Sequence, residues 1–131
     1  FEVDGALVEK RFKGGLLGHW SVWTRRVVEL FAEIEKVRDL PLVPAHLLTL
    51  AAQITDANGA VFDVANGFAG CIAGIHEVLR RQGLMKGIWC LDPAETLSPG
   101  QAEALDRVCA AYPHLADDAF VKAHLAEWLA G

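Results

Sequence analysis

Among the residues able to support chemistry, the histidines come nearest to a recognisable motif. His76 is followed directly by Glu77 in a stretch with helical spacing. Such a pair belongs to a zinc-hydrolase pattern only when a second histidine follows one turn later, and that position holds Arg80. His114 and His124 fall in different predicted helices, so they do not form a ligand pair. The sequence therefore predicts no metal site.

The cysteines also lack a motif. Cys71, Cys90 and Cys109 are odd in number and widely separated, which is typical of reduced thiols in an intracellular protein and not of a disulfide framework. Phosphate-binding glycine motifs and a GxSxG nucleophile elbow are missing from the sequence. These features predict a cytoplasmic protein that uses no cofactor.

Carboxylates and lysines give equally little catalytic signal. Asp56, Asn58 and Asp63 cluster near a predicted helix junction, but no glutamate follows at calcium-loop spacing. We expect these residues to cap helices and turns. A desolvated lysine can act as a nucleophile, but Lys13, the lysine nearest to an apolar segment, is expected to lie in a solvated loop.

Length and composition limit the class of protein. With 131 residues, 53% of them apolar, the chain fits one domain with ample core material and is not disordered. Its net charge of −5 and lack of a basic stripe exclude a nucleic-acid partner. Residues 57–75 are nearly free of charge, but Asn58, Asp63 and Asn66 would be costly in lipid, so no membrane span is predicted.

Apolar residues recur at helical spacing through most of the chain, so helices must position any site. We predict five helices: residues 24–38 with Thr24 as N-cap, a helix from Pro44 to a stop at Asn58-Gly59, residues 60–82, residues 98–112, and a last helix capped by Asp117 or Asp118. The first two carry clear apolar faces, formed by Val27, Leu30, Phe31, Ile34 and Val37 and by Leu47, Leu48, Ala51 and Ile54.

The third predicted helix is apolar almost all round, which is typical of a central helix. Gly67, Gly70 and Gly74 each lower its helix propensity, which indicates either close approach of another backbone or a break near Asn66-Gly67. We expect close packing.

An apolar connector joins this helix to the next. Leu84, Ile88, Trp89, Cys90 and Leu91 are too apolar for a free loop. The following helix is expected to open with a capping box, with Ser98 as N-cap, Pro99 at the first position and Gln101 at the third. The connector is therefore predicted to be a docked arm, in which Trp89→Ala would cost a few kcal/mol.

The N-terminal part has a different pattern. Residues 16–23 follow Gly14-Gly15 and are rich in β-formers, so they predict a short buried strand. A lone strand cannot satisfy its own backbone groups. We therefore expect neighbouring strands from outside this sequence.

Several segments, taken in order, resemble a known family. The run of GGLLGHWSVW, TRRVVELFAEI, ITDANGAVFD, HEVLRRQGL and LSPGQAEALDRV is similar to the C-terminal part of the dihydrodipicolinate synthase and N-acetylneuraminate lyase family of class I pyruvate-dependent aldolases. Members of that family are (β/α)8 TIM barrels followed by a helical extension. The resemblance implies that residues 1–40 are the last β/α unit of a barrel and that residues 41–131 are the extension.

The resemblance also implies Schiff-base chemistry on pyruvate or a related keto acid. The family's lysine lies at the end of the sixth strand and its proton-shuttling tyrosine on an earlier strand, and neither motif occurs here. A barrel needs roughly 200–250 residues, so we expect that lysine upstream of Phe1 and assign no catalytic residue to this chain. His19 and Trp20 would fall nearest the family's site, which makes them candidate substrate-binding residues.

Two functions follow as alternatives. In the first, the chain is part of a keto-acid lyase or synthase, and it packs on the upstream remainder of the barrel and on other subunits of a homo-oligomer. In the second, the chain is a stand-alone, non-catalytic helical module that recruits a partner through an apolar surface.

Overall fold

Helices dominate the computed structural model, which describes residues 1–10, 14–15 and 18–130. The α-helices of this part are α1 (Thr24–Val37), α2 (Ala45–Val61), α3 (Cys71–Arg81), α4 (Gln101–Ala111) and α5 (Asp118–Trp128). Short 3₁₀ turns lie at Gly18–Ser21, Val64–Asn66 and Pro113–Leu115. The predicted mainly helical fold is confirmed.

The strands of the described part form one small hairpin, β1 (Glu2–Val3) and β2 (Ala6–Leu7), which pair antiparallel. The strand predicted for residues 16–23 is wrong from Gly18 onward, where the backbone makes a 3₁₀ turn; residues 16 and 17 lie outside the described part. Within the turn the Ser21 hydroxyl donates to the Gly18 carbonyl oxygen at 2.5 Å, and the Val22 amide donates to the His19 carbonyl oxygen at 3.4 Å. Residues 18–23 therefore offer no strand with which the expected neighbouring strands could pair.

The long third helix is also wrong, because the chain breaks in its middle. Helix α2 continues through Asn58-Gly59 to Val61, and α3 begins only at Cys71. Between them Asp63, Gly67 and Phe68 adopt positive φ angles of 57°, 62° and 69°, which no helix tolerates. The break near Gly67, considered less favoured than close packing, is therefore present.

Close packing occurs at the other two glycines. A Cβ atom at Gly74 would overlap the Val61 carbonyl oxygen, and one at Gly70 would overlap the Gln101 side chain. These glycines allow α3 to approach the end of α2. The core of buried apolar residues surrounds this contact and comprises Val22, Trp23, Ala57, Ala60, Val61, Val78, Leu105, Val108 and Leu115.

Helix α1 begins differently from its prediction. Trp23, with a left-handed φ of 51°, occupies the N-cap position, and Thr24 is the first helical residue. Trp23 has no side-chain oxygen, so the orphan amide of Arg25 donates instead to Asp117 Oδ2 at 2.9 Å. The other oxygen of Asp117 accepts from Gln82 Nε2 at 2.7 Å. Asp117 sits at the N-cap position of α5, as predicted, yet its carboxylate caps α1.

Helix α4 begins at Gln101, not at Ser98. Half of the predicted capping box is present, since the Ser98 amide donates to Gln101 Oε1 at 3.1 Å. The Ser98 hydroxyl instead donates to Asp63 Oδ2 at 2.5 Å. No helix of the described residues has both the length and the apolar character needed to cross a membrane.

Candidate functional site

An open apolar cleft of about 380 Å³ lies between α1 and α2. The apolar faces predicted for the two helices form its walls, so the cleft follows directly from their helical periodicity. Its lining residues are His19, Trp20, Val27, Leu30, Phe31 and Ile34 on one side and Leu47, Leu50, Ala51, Ile54, Thr55 and Asn58 on the other.

The 3₁₀ turn at Gly18–Ser21 contributes the polar side chain of His19 to the cleft. Its Nδ1 lies 2.7 Å from Asn58 Oδ1, and only 7% of the residue is exposed. Burial lowers the pKa of His19, although the Asn58 hydrogen bond opposes the shift. The imidazole is therefore neutral at pH 7, with Nδ1 donating to the amide oxygen and Nε2 left as an acceptor.

Trp20 forms part of the cleft rim. Its ring meets that of Phe31 edge to face, with centroids 5.6 Å apart, and 38% of the residue is exposed. The Thr24 hydroxyl donates to the Trp20 carbonyl oxygen at 3.3 Å, which anchors the turn on the first residue of α1. His19 and Trp20, the two candidate substrate-binding residues, thus line one cleft, and their binding of a keto acid stays a prediction.

Charged side chains beside the cleft are paired. A depression that adjoins the cleft and shares His19 with it is bordered by Arg26, Glu29, Glu33 and His114. His114 Nε2 lies 2.9 Å from Gln53 Oε1. Arg26 Nη1 lies 2.7 Å from Glu29 Oε2, and Glu33 Oε1 lies 2.5 Å from His46 Nε2. Hydrogen bonds from Arg26 and Arg25 hold the pKa of Glu29 below its usual value. The described wall therefore presents no cation free to bind a carboxylate group.

A second polar cluster, called here the polar junction, joins the end of α2 to the starts of α3 and α4. It consists of Asp63, Asn66, Gly70, Ser98 and Gln101. Asp63 is 2% exposed, and its carboxylate accepts from Asn66 Nδ2 at 2.7 Å, the Gly70 amide at 2.9 Å and the Ser98 hydroxyl. Burial alone would raise the pKa of Asp63, but these hydrogen bonds outweigh it and lower the pKa.

Gln101 completes the polar junction. Its Nε2 lies within 3.3 Å of the carbonyl oxygens of Ala60, Val61 and Gly70. Every buried side-chain nitrogen or oxygen of the described residues has a hydrogen-bond partner. No buried polar side-chain atom of the junction therefore lacks a hydrogen-bond partner that a ligand could supply. The junction holds three helices together. Sequence reasoning had expected only capping from Asp63 and Gln101, because their partners are distant in sequence.

One thiol–imidazole contact was missed from sequence. Cys90 Sγ lies 3.9 Å from His76 Nδ1, although the two residues are 14 positions apart. Desolvation raises the pKa of the Cys90 thiol, and the nearby charges of Glu95 and Asp92 raise it further. A raised pKa disfavours the nucleophilic thiolate. The pair therefore lacks the electrostatics of an activated cysteine.

The described part of the chain contains neither a buried lysine nor a cluster of metal ligands. Lys10, Lys36, Lys86 and Lys122 are all exposed, and Lys13 lies outside the described residues. Within residues 1–10, 14–15 and 18–130, no three histidine, cysteine or carboxylate side chains are grouped so as to hold a metal ion. Comparison with protein-family models, curated proteins and solved structures finds no match to this chain.

Proposed function

We propose that this chain is the C-terminal portion of a Schiff-base-forming lyase or synthase of the dihydrodipicolinate synthase and N-acetylneuraminate lyase family. The parent enzyme acts on pyruvate or a related keto acid by aldol cleavage, condensation or dehydration. The helices of this chain support the barrel and the contacts between subunits of a homo-oligomer, and the catalytic lysine lies upstream.

The observation that carries the proposal is the amount of large apolar surface that the described fold leaves uncovered. Trp89 in the connector is 70% exposed and Leu91 is fully exposed, while Leu42 and Leu48 before and within α2 are 81% and 68% exposed. Large apolar side chains left exposed in this number support a contact with another body that would cover them. A helical extension that packs on a barrel and on neighbouring subunits requires such surface.

Two further features are consistent with the proposal. The helices α1 at Thr24–Val37 and α4 at Gln101–Ala111 support the helical order that the resemblance implies, although the long helix implied between them is broken before Cys71. The described lysines are exposed, as expected if none of them forms the Schiff base. The 3₁₀ turn at Gly18–Ser21 differs from the implied eighth strand, so the last β/α unit is the part of the proposal most in need of a test.

Borohydride trapping tests the proposal. The 131-residue chain and a longer product that includes upstream sequence are each treated with pyruvate and sodium borohydride, and intact mass is measured. We expect a reduced pyruvyl adduct on the longer product and none on the chain alone. A lysine-to-arginine change at the trapped position should abolish the adduct. If the longer product forms no adduct with any keto acid tested, the proposal fails.

The polar junction favours a second candidate, a stand-alone helical interaction module. The junction and the Asp117 cap join the helices through contacts made entirely within this chain. A module of this kind is expected to be monodisperse and to unfold cooperatively without any upstream sequence. Circular dichroism and urea unfolding of the chain test this, and a molten signature would contradict it.

A further inference from the structure

We propose that the cleft between α1 and α2 binds a small, uncharged, largely apolar molecule with one hydroxyl group, such as a phenol, and that this hydroxyl donates a hydrogen bond to His19 Nε2. The inference is independent of the lyase proposal, since it rests on the cleft alone.

The size and lining of the cleft suit such a molecule. A volume of about 380 Å³ falls in the range of small-molecule sites. The walls are almost wholly apolar, with Phe31, Ile34 and Leu50 among the lining side chains, and the Trp20 ring stands at the rim. An aromatic or branched aliphatic body would remove this apolar surface from water.

His19 supplies the polar contact. Its Nδ1 is engaged by Asn58 Oδ1, while Nε2 has no protein partner among the described residues. Each fully buried side-chain nitrogen or oxygen in the described part has a hydrogen-bond partner, so Nε2, which has none, is not fully buried. Both spaces that His19 lines lie against α1 and α2 and share Leu30 and Ile54. His19, of which 7% is exposed, thus keeps one acceptor that is not sealed off beside these adjoining spaces, and the proposal assigns that acceptor to the cleft.

The charged residues beside His19 indicate whether the ligand is neutral or an ion. Arg26 is paired with Glu29, and Glu33 is paired with His46. A carboxylate or an ammonium group placed beside His19 would lose hydration without gaining a counter-ion. A hydroxyl donor needs only the lone pair of Nε2, so the uncharged molecule is favoured.

Titration with matched probes tests the proposal on the 131-residue chain. The probes are 4-ethylphenol, its methyl ether 4-ethylanisole, which lacks the donor, and 4-ethylbenzoate, which carries a charge. Binding is followed by amide chemical shifts and by the ¹⁵N shift of His19 Nε2. We expect millimolar or tighter binding of the phenol, about fivefold weaker binding of the ether, as for loss of one neutral hydrogen bond, and weaker binding still of the benzoate.

Two neighbouring alanines of α2 provide a matched pair of variants. Ala51 lines the cleft and Ala52 does not, and both are exposed, so neither change disturbs the core. Ala51→Phe should abolish binding of 4-ethylphenol, whereas Ala52→Phe should leave it unchanged. His19→Phe should remove the preference for the phenol over the ether.

Several outcomes would overturn the proposal. These are no binding of any probe at millimolar concentration, equal binding of phenol and ether by the unmodified chain, and binding that survives Ala51→Phe. Concentration-dependent self-association that Ala51→Phe prevents would show that a second copy of the chain fills the cleft instead.

Discussion

The α1–α2 cleft runs along α2 from Leu47 to Asn58, and the polar junction lies just beyond it at the C-terminal end of the same helix. At the junction Asp63 and Gln101 saturate the backbone and side-chain polar groups around them. In the cleft, the hydrogen bond between His19 and Asn58 borders open apolar space. The C-terminal end of α2 is thus held by polar neighbours, whereas its cleft face is left open for the proposed ligand.

Removal of the Asp63 carboxylate should have the largest effect. Asp63→Ala leaves the Gly70 amide and the Ser98 hydroxyl without their acceptor and places alanine at a φ of 57°. We expect a loss of about 3 kcal/mol of unfolding free energy in urea. Thr55→Val, which removes a hydroxyl donor from the cleft wall, should change it by less than about 0.5 kcal/mol. Equal effects of the two variants would remove the distinction between the regions.

Next in size is a contrast between two glycines. Gly74→Ala forces a methyl group against the Val61 carbonyl oxygen and Gln101 Nε2, whereas a Cβ atom at Gly59 would meet nothing within 4 Å. We expect Gly74→Ala to destabilise the fold by about 2 kcal/mol through overpacking. Gly59→Ala should stabilise it by about 0.5–1 kcal/mol through helix propensity. Thermal unfolding of both variants measures these changes in stability. If Gly74→Ala stabilised the fold, α3 would not be closely packed at that position.

Acid should weaken α3 through Glu77. Hydrogen bonds from Arg80 at 2.6 and 2.8 Å and from Arg81 at 2.8 Å outweigh the effect of burial and lower the pKa of Glu77 from 4.5 to about 2. A pKa lowered by folding adds stability that is complete above pH 4.5 and is lost as the pH falls toward 2. Glu77→Gln should therefore cost about 1.5 kcal/mol at pH 7 and much less near pH 2.

Urea unfolding between pH 2 and pH 7 measures this difference. The exposed Glu103→Gln variant on α4 is the control and should follow the unmodified chain closely. A constant difference between Glu77→Gln and the unmodified chain across the whole pH range would contradict the lowered pKa of Glu77.

The smallest effect is expected in the connector. Trp89 is 70% exposed and packs within the chain beside Gly87, so Trp89→Ala should change the unfolding free energy of the dilute monomer by less than about 0.5 kcal/mol. The few kcal/mol expected from sequence would then arise only where another body covers the arm. Stability measured at low and high protein concentration distinguishes the two cases.

Local patterns predicted the elements well and their connections poorly. Helical spacing identified the apolar faces of α1 and α2, which became the walls of the cleft, although Leu48 points out and is 68% exposed. The strand prediction failed at residues 18–23. Residues 18–21 form a 3₁₀ turn instead, and Trp23 adopts a left-handed φ of 51°. The break between α2 and α3 was undervalued because its stabilising partner, Ser98, lies 35 residues from Asp63.

The candidate site was predicted in part. His19 and Trp20 were selected through the family resemblance, and the structure brings both to one cleft. Asn58, which orients His19, was assigned to a helix stop, because nothing in the spacing of two residues 39 positions apart indicates a contact between them. Pairings of this kind depend on the tertiary arrangement of α1 and α2.

The capping of α1 by Asp117 links the folding of this N-terminal helix to the synthesis of the C-terminal part of the chain. During synthesis His19, Trp20 and the whole of α1 leave the ribosome long before Asp117, which follows Arg25 by 92 residues. Until Asp117 arrives, the Arg25 amide lacks this acceptor, so the start of α1 beside His19 and Trp20 is held less firmly than in the finished fold. A nascent chain halted before residue 117 should therefore bind the proposed phenol more weakly than the 131-residue chain does.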